Sequence, residues 1–481
     1  MNNINSKYLL AVLSSSVGSG FQHGYNYGVV NVAHKTIEQW IRENKKDRLK
    51  KAPSEKDIIF IWTIAISIFS IGGMLGSLMT AYFANRFGHK GGLVWNNCIM
   101  FLAAIFLFFA KAAKLYEVFI LGRLLIGINA GLNSGLCPMY LAEIAPVRLR
   151  GSTTALYSFV VSVSLFVSQF FSLEATLGDA ENWPTIFAIA VIPSLLQLVA
   201  LWICPESPRF LFLTVDDEVK GQKALVWLRN KADIRAEVSS LIEHKTVLQQ
   251  LPTASFKAMF KHSVYRTPLI ICLTMVLSQQ CCGIEATLYF SAKMLENAGL
   301  TPKEAQYASL TMAILLVVCT FGCVMLIDAL GRRMLFLLSL CGMTVDTIFV
   351  AVVLMLSKDD VVRENVKIIT ASAVVLFAGW YALGTGTVPM VVTIELFNTI
   401  ARPFAVSIVV PVSWLGSFIV SVTYLQLAEK LGYYLFVVYL MLDLFLFLFI
   451  HMYLPETKGK KSKDIIKLFS NINIDSSSVA E

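Results

Sequence analysis

Twelve apolar runs, each long enough to cross a bilayer, constrain this chain more than any other feature. A spanning helix takes about 20 predominantly apolar residues. Runs of that length fall near 8–30, 58–82, 93–110, 118–141, 153–173 and 185–204, and again near 267–292, 305–329, 334–356, 367–392, 404–427 and 432–454. The predicted class is therefore an all-α polytopic membrane protein of six plus six helices. Composition agrees, since 56% of the 481 residues are hydrophobic and 15% charged, whereas soluble domains carry ~25% charged residues. Residues 1–204 are predicted to form a first six-helix bundle and 205–266 a linker of short amphipathic helices. Residues 267–454 form a second bundle and 455–481 a tail.

The net charge of +8 does not point to nucleic acid, because the basic residues lie between apolar runs rather than in one patch with interleaved aromatics. The 9 cysteines sit mostly inside apolar runs without disulfide or zinc spacing, and read as reduced packing residues. No GxxxxGK[ST], HExxH or CxxC run occurs, so nothing suggests an enzyme, a metal or a cofactor. Lysines and arginines favour the linker side modestly, which puts that side and both termini in the cytoplasm.

Three loop signatures recur between 243 and 252 residues later, which marks parallel duplicated halves. Asn85-Arg86-Phe87-Gly88-His89-Lys90 is answered by Asp328-Ala329-Leu330-Gly331-Arg332-Arg333. Glu143 to Arg150 is answered by Glu395 to Arg402, acid and base seven positions apart in both. Pro205-Glu206-Ser207-Pro208-Arg209 is answered by Pro455-Glu456-Thr457-Lys458-Gly459. All three lie on the linker side. They read as a latch in which Glu143 pairs with Arg150 and Glu395 with Arg402, joined by Lys90, Arg332 and Arg333. Such a latch closes the inner ends of the spans in one state and releases them in the other.

With Gly24-Tyr25-Asn26, Gly122-Arg123, Gln279-Gln280 and Gly283-Ile284 added to these signatures, the chain resembles the sugar porter family of the major facilitator superfamily. It is most similar to the animal facilitative glucose transporters, from about Gly20 to Gly459. The resemblance implies uniport of a hexose by alternating access, with the sugar bound between the halves and the protein in the plasma membrane. Sugar and lipid are the implied partners.

The resemblance also implies site residues. Gln279 and Gln280 match the family's glutamine pair, suited to a hydroxyl that both donates and accepts, and Trp414 matches a cavity-lining tryptophan. Other expected contacts are replaced: Ser158 stands for a glutamine, Glu285 for an asparagine, Met390 for a tryptophan, and Ser413 and Ser417 for asparagines. Leu316 and Ala382 replace an asparagine and a glutamate. Tyr289 and Phe290 resemble the family's outer gate, and the stretch from Gly384 to Pro389 is expected to interrupt span 10 as a bendable gate. Asn26 replaces the titratable aspartate of proton-driven relatives. Two ionisable residues enter in exchange, His23 and Glu285, which leaves a proton-coupled or altered-substrate transporter as the alternative. A non-transporting sugar sensor is disfavoured by the short tail. Glu285 is expected to face the glutamines and to pair with His23 or with the substrate.

Overall fold

A computed structural model describes residues 5–469 apart from 51–52, 174–175, 231–232, 298, 357–359, 433 and 461. Twelve crossing helices account for most of the chain. In the first half they are α1 (Ser6–Val32), α2 (Glu55–Leu78), α3 (Thr80–Ala113), α4 (Tyr116–Ile144), α5 (Arg150–Phe171) and α6 (Trp183–Ile203). In the second they are α7 (Ser263–Cys281 continued by Ile284–Asn297), α8 (Pro302–Leu330), α9 (Arg332–Leu356), α10 (Asp360–Leu383 continued by Val388–Leu396), α11 (Arg402–Leu431) and α12 (Tyr434–Tyr453). Ten of these helices are apolar and long enough to span on that ground alone. The two that fall short are α1 and α7, and both spend part of their length on polar side chains turned inward. Gln22 and Asn26 of α1, and Gln280 of α7, are buried. A span can carry such residues only where protein or a cavity, rather than lipid, surrounds them.

The halves meet along two seams, α2 against α11 and α5 against α8. At the first seam Ser70 and Ser417 hydroxyls lie 3.3 Å apart. At the second, Ser162 and Thr320 hydroxyls lie 2.9 Å apart. On the side opposite the linker, the helix His34–Leu49 lies between α1 and α2 and is fixed by Arg48, 2.6 Å from Glu117 at the start of α4. On the linker side, Glu218–Arg229, Arg235–Gln249 and Phe256–Lys261 form short helices, as the spacing predicts. Arg229 of this group donates to the Ile144 carbonyl at the end of α4, at 3.0 Å.

The stretch from Asn85 to Lys90, expected as a loop, is helix on both sides of a single break. Gly88, at φ 77°, turns the chain, so the part of Thr80–Ala113 before it extends α2 and the part after it is the crossing proper. Gly331, at φ 97°, does the same between α8 and α9. Each new helix begins with orphan N–H groups, and in both halves a distant glutamate caps them. Glu206 accepts from the Lys90 N–H at 3.1 Å, and Glu456 accepts from the Arg332 and Arg333 N–H groups at 3.0 and 3.1 Å. The basic side chains return the contact, Lys90 to the Cys204 carbonyl closing α6 and Arg333 to the His451 carbonyl of α12. A Cβ added at either glycine would collide with the capping carboxylate. Gly88→Ala and Gly331→Ala should each cost at least ~1–2 kcal/mol from the left-handed backbone alone. The check is a lowered thermal midpoint of the purified protein in detergent, with no such shift for Gly322→Ala, inside α8, where the backbone is ordinary helix and a Cβ meets only Leu383 at 3.9 Å.

Candidate functional site

The cavity lies between the halves and is built by breaks in two helices of the second one. In α7 the helix stops at Cys281 and restarts at Ile284, with Gly283 at φ 85° packed on the Tyr439 ring. In α10 residues 384–387 unwind, and Pro389 sits in the first turn of the resumed helix. The expected interruption of span 10 is therefore present. Ser339 of α9 holds it by accepting from the Thr385 N–H at 2.9 Å and donating to the Trp380 carbonyl at 2.7 Å. Irregular backbone at membrane depth is tolerated where it lines a cavity, and Gly386, Thr387 and Pro389 do line it.

The cavity holds about 210 Å³, room for a small solute and not a polymer. All eight side chains singled out for substrate contact line it: Ser158, Gln279, Gln280, Glu285, Met390, Ser413, Trp414 and Ser417. Gln279 donates to the Tyr381 hydroxyl at 2.8 Å, and Gln280 donates to Ser413 at 3.0 Å. The Gln280 Oε1 is buried with no hydrogen-bond partner, an acceptor aimed at nothing the protein supplies. Trp414 is wedged between Phe69 and His23, ring centroids 5.4 Å from each, and a Cβ on Gly73 would strike its indole. An aromatic wall and amide edges are what a solute with both hydroxyls and C–H faces requires.

Glu285 faces the same cavity as the glutamines, but His23 is not its partner. The Tyr27 hydroxyl, one turn further along α1, donates to Glu285 Oε2, while His23 Nδ1 shares a proton with the Tyr157 hydroxyl at 2.8 Å. Helical geometry explains the exchange: positions 23 and 27 share a face of α1, and the register puts Tyr27 level with the α7 break. Tyr27, Tyr157 and Tyr381 were not apparent as site residues in the sequence, where tyrosines on apolar spans read as packing. The side chains of Tyr289 and Phe290 lie outside the described residues.

At the linker end the acids and bases pair differently from the expectation drawn from their spacing. Glu143 bonds not with Arg150 but with Arg402 of the other half, at 2.8 Å with both side chains buried. Glu395 bonds not with Arg402 but with Arg332, which grips it by Nε at 3.0 Å and Nη2 at 2.7 Å. Arg150 is buried, makes no ion pair among the described residues and has an unpartnered Nε. Arg333 caps α12 instead of meeting an acid. Seven residues of separation set acid and base on either side of a helix-to-helix turn, so neither acid meets the base that follows it: Glu143 takes its base from the opposite half and Glu395 from an earlier helix of its own half.

The repeated Pro-Glu-Ser/Thr segments complete the arrangement, Ser207 donating to Glu143 at 2.5 Å and Thr457 to Glu395 at 2.6 Å. A second crossing joins Asp328 to the start of α5, where the Ser152 N–H and hydroxyl donate to it at 2.8 and 2.5 Å. His89 stands where the second half has Arg332, with Nδ1 3.5 Å from Glu143. Nearby in the linker, burial and then Arg209, Arg402 and Arg150 hold His244 down at about 3. Burial, followed by Arg150 and Arg402, lowers Arg209 to about 9.

The chain matches the family model described as "Sugar (and other) transporter" over residues 11–469. The chain belongs to that sugar transporter family. It is 33% identical over 466 residues to the Mus musculus protein "Solute carrier family 2, facilitated glucose transporter member 3", covering 97% of this chain and 93% of that one. The Homo sapiens counterpart is 32% identical, covering 96% and 92%. Among solved structures, a proton:xylose symporter of the major facilitator superfamily bound to 6-bromo-6-deoxy-D-glucose superposes with a TM-score of 0.85 at 21% identity, covering 97% of this chain and 99% of that one. An inward-open structure of the xylose transporter from E. coli gives 0.70 at 20% identity, covering 96% and 100%. These likenesses establish the twelve-helix major facilitator fold of a multi-pass membrane protein.

Removing one member of a buried ion pair strands the other and costs about 3–5 kcal/mol. Glu143→Gln should therefore open the linker end of this transporter. The readout is thiol labelling of a Thr393→Cys reporter, which lies in the cavity wall, and a several-fold faster rate is expected from the linker side. Glu395→Gln, which breaks a pair inside one half, should accelerate labelling less.

Proposed function

We propose that this transporter is a facilitative carrier of a hexose, moving its substrate down a gradient by alternating access between the halves. The observation that carries the reading is the cavity itself. It is sealed at the linker end by the Glu143–Arg402 pair between halves, and above that seal the Gln279 and Gln280 amides face the Trp414 indole across a space of small-solute size. Gln279 and Gln280 would bond sugar hydroxyls, Trp414 would stack on a C–H face, and Ser158, Ser413 and Ser417 would bond the periphery directly or through water. The Gln280 Oε1, without a partner in the protein, would accept from a hydroxyl. Met390 offers apolar contact.

Opening would exchange Glu143–Arg402 and Ser152–Asp328 for water at the linker side, with the two helix breaks in α7 and α10 bending. The linker side is assigned to the cytoplasm from the placement of basic residues, and the plasma membrane is the site suggested by kinship with the solute carrier relatives. A proton-coupled reading has the cavity carboxylate Glu285 on its side and Asn26, which cannot titrate, against it.

Purified protein in proteoliposomes, given labelled hexoses with and without a proton gradient, tests the reading. Saturable hexose uptake that ignores the gradient is expected. Uptake that stops when the gradient is dissipated would replace uniport with symport. Gln280→Leu should raise the half-saturation concentration roughly 5- to 150-fold, the equivalent of about 1–3 kcal/mol for an unpaired buried hydroxyl, at normal protein yield.

A further inference from the structure

The cavity contains an acid, Glu285, that no lysine or arginine faces among the described lining residues. Glu285 is buried, and its neighbours are the Tyr27 hydroxyl from α1, Ser417 from α11 and Gln280 from its own helix α7, with Tyr381 of α10 close by. All of these are neutral donors. Among the described residues lining the cavity there is no lysine or arginine. The remaining ionisable base, His23, is turned to Tyr157 and packed at a tilt against Trp414. Lysines and arginines of the latch lie at the linker end, paired with Glu143 and Glu395 or capping helices. A buried carboxylate is stable when paired, and in a membrane such a residue marks the path of a substrate or ion.

A carboxylate offers about four acceptor sites, of which Tyr27, Ser417 and Gln280 leave one for an incoming donor. A cationic donor entering the cavity would find Glu285 beside the same Gln280 and Ser417 proposed to bond sugar hydroxyls. We infer that the preferred cargo is an amino sugar, a hexose with a protonated amine in place of one hydroxyl, whose ammonium group is held by Glu285 while its remaining hydroxyls engage Gln279, Gln280 and Ser413. The inference rests on the reading of this cavity as a sugar site. It accounts for a carboxylate at a position where its counter-charge arrives with the substrate. Release of the sugar leaves Tyr27 as the carboxylate's partner and keeps α1 against α7.

The experiment compares D-glucosamine, D-glucose and N-acetyl-D-glucosamine in proteoliposomes at pH 6.5, where the amine is protonated, with and without an inside-negative potassium diffusion potential. Glucosamine should enter with an efficiency about tenfold or more above that of glucose, its uptake should rise with the potential because a net charge moves, and the acetylated sugar, which has lost the charge, should fall to or below glucose. Glu285→Gln should reverse the order of glucosamine and glucose. Protection against thermal unfolding of the parent protein by glucosamine and not by its N-acetyl form gives the same answer without the variant.

Glucosamine uptake no better than glucose, or a ratio unchanged in Glu285→Gln, overturns the inference while leaving the sugar site standing. Glucose uptake driven by a proton gradient and lost in Glu285→Gln also overturns it, since the counter-charge is then a proton. Failure of all three sugars to enter or to stabilise the protein overturns the sugar reading and the inference with it.

Discussion

The bond between Glu143 and Arg402 is the contact on which the rest of the arrangement turns, because it joins the halves at the end where the cavity is closed. Both side chains are buried, and each is held by its own half as well. Ser207 donates to the carboxylate, while the Ile394 and Phe397 carbonyls accept from the guanidinium. The pair is thus a joint between two preformed ends. Glu206 and Glu456 cap the neighbouring helix starts at Lys90 and Arg332, which carry His89 beside Glu143 and Arg332 on Glu395, so a disturbance at Gly88 or Gly331 reaches the two acids through those side chains. A buried ion pair adds little net stability compared with apolar packing. In the proposed cycle it would supply a contact that water can replace as the end opens, which packed leucines cannot offer.

The cavity depends on the opposite property, backbone that is not helical. The breaks at Gly283 and at residues 384–387 leave polar groups at membrane depth, and each is paid for locally: Ser339 bonds the Thr385 N–H and the Trp380 carbonyl, and the Thr287 N–H bonds the Gly283 carbonyl at 3.2 Å. The same breaks place Gln280, Glu285, Thr387 and Pro389 around one space. The proposed site and the proposed hinge therefore share residues in the second half, whereas the first half contributes unbroken α1, α4 and α5 and a cavity wall of His23, Tyr27, Tyr157 and Ser158.

Much of this was legible in the sequence, for physical reasons that differ by element. Span length and apolarity follow from bilayer thickness, so all twelve crossings are apparent, including α1 and α7, whose polar residues dilute the signal. Gln279, Gln280 and Glu285 reach one cavity because they lie within six residues of one another on either side of the α7 break. The ion pairs were not legible, because spacing along the chain orders acids and bases within a half but does not specify the facing half, and Glu143 finds Arg402 only in three dimensions. Tyr27 was hidden for a similar reason: its partnership with Glu285 depends on the register of α1 against α7. Ser207 and Thr457 were printed in the repeated segments, and their shared hydroxyl was the available sign that both acids accept from the turn that follows the sixth helix.

His89 makes the two copies of the duplicated pattern unequal. In the second half Arg332 clamps Glu395 with two hydrogen bonds and binds α9 to α10 whether or not the halves are in contact. In the first half the imidazole stands 3.5 Å from Glu143, so that acid takes its firm support from Ser207 and, across the seam, from Arg402. In the proposed alternating-access cycle, parting of the halves would leave Glu395 its arginine and take Glu143's away. In the proposed cycle each opening would bare one carboxylate on the first half and one guanidinium, Arg402, on the second, so the acid and the base to be rehydrated would lie on opposite faces of the seam while the Arg332–Glu395 clamp stays dry.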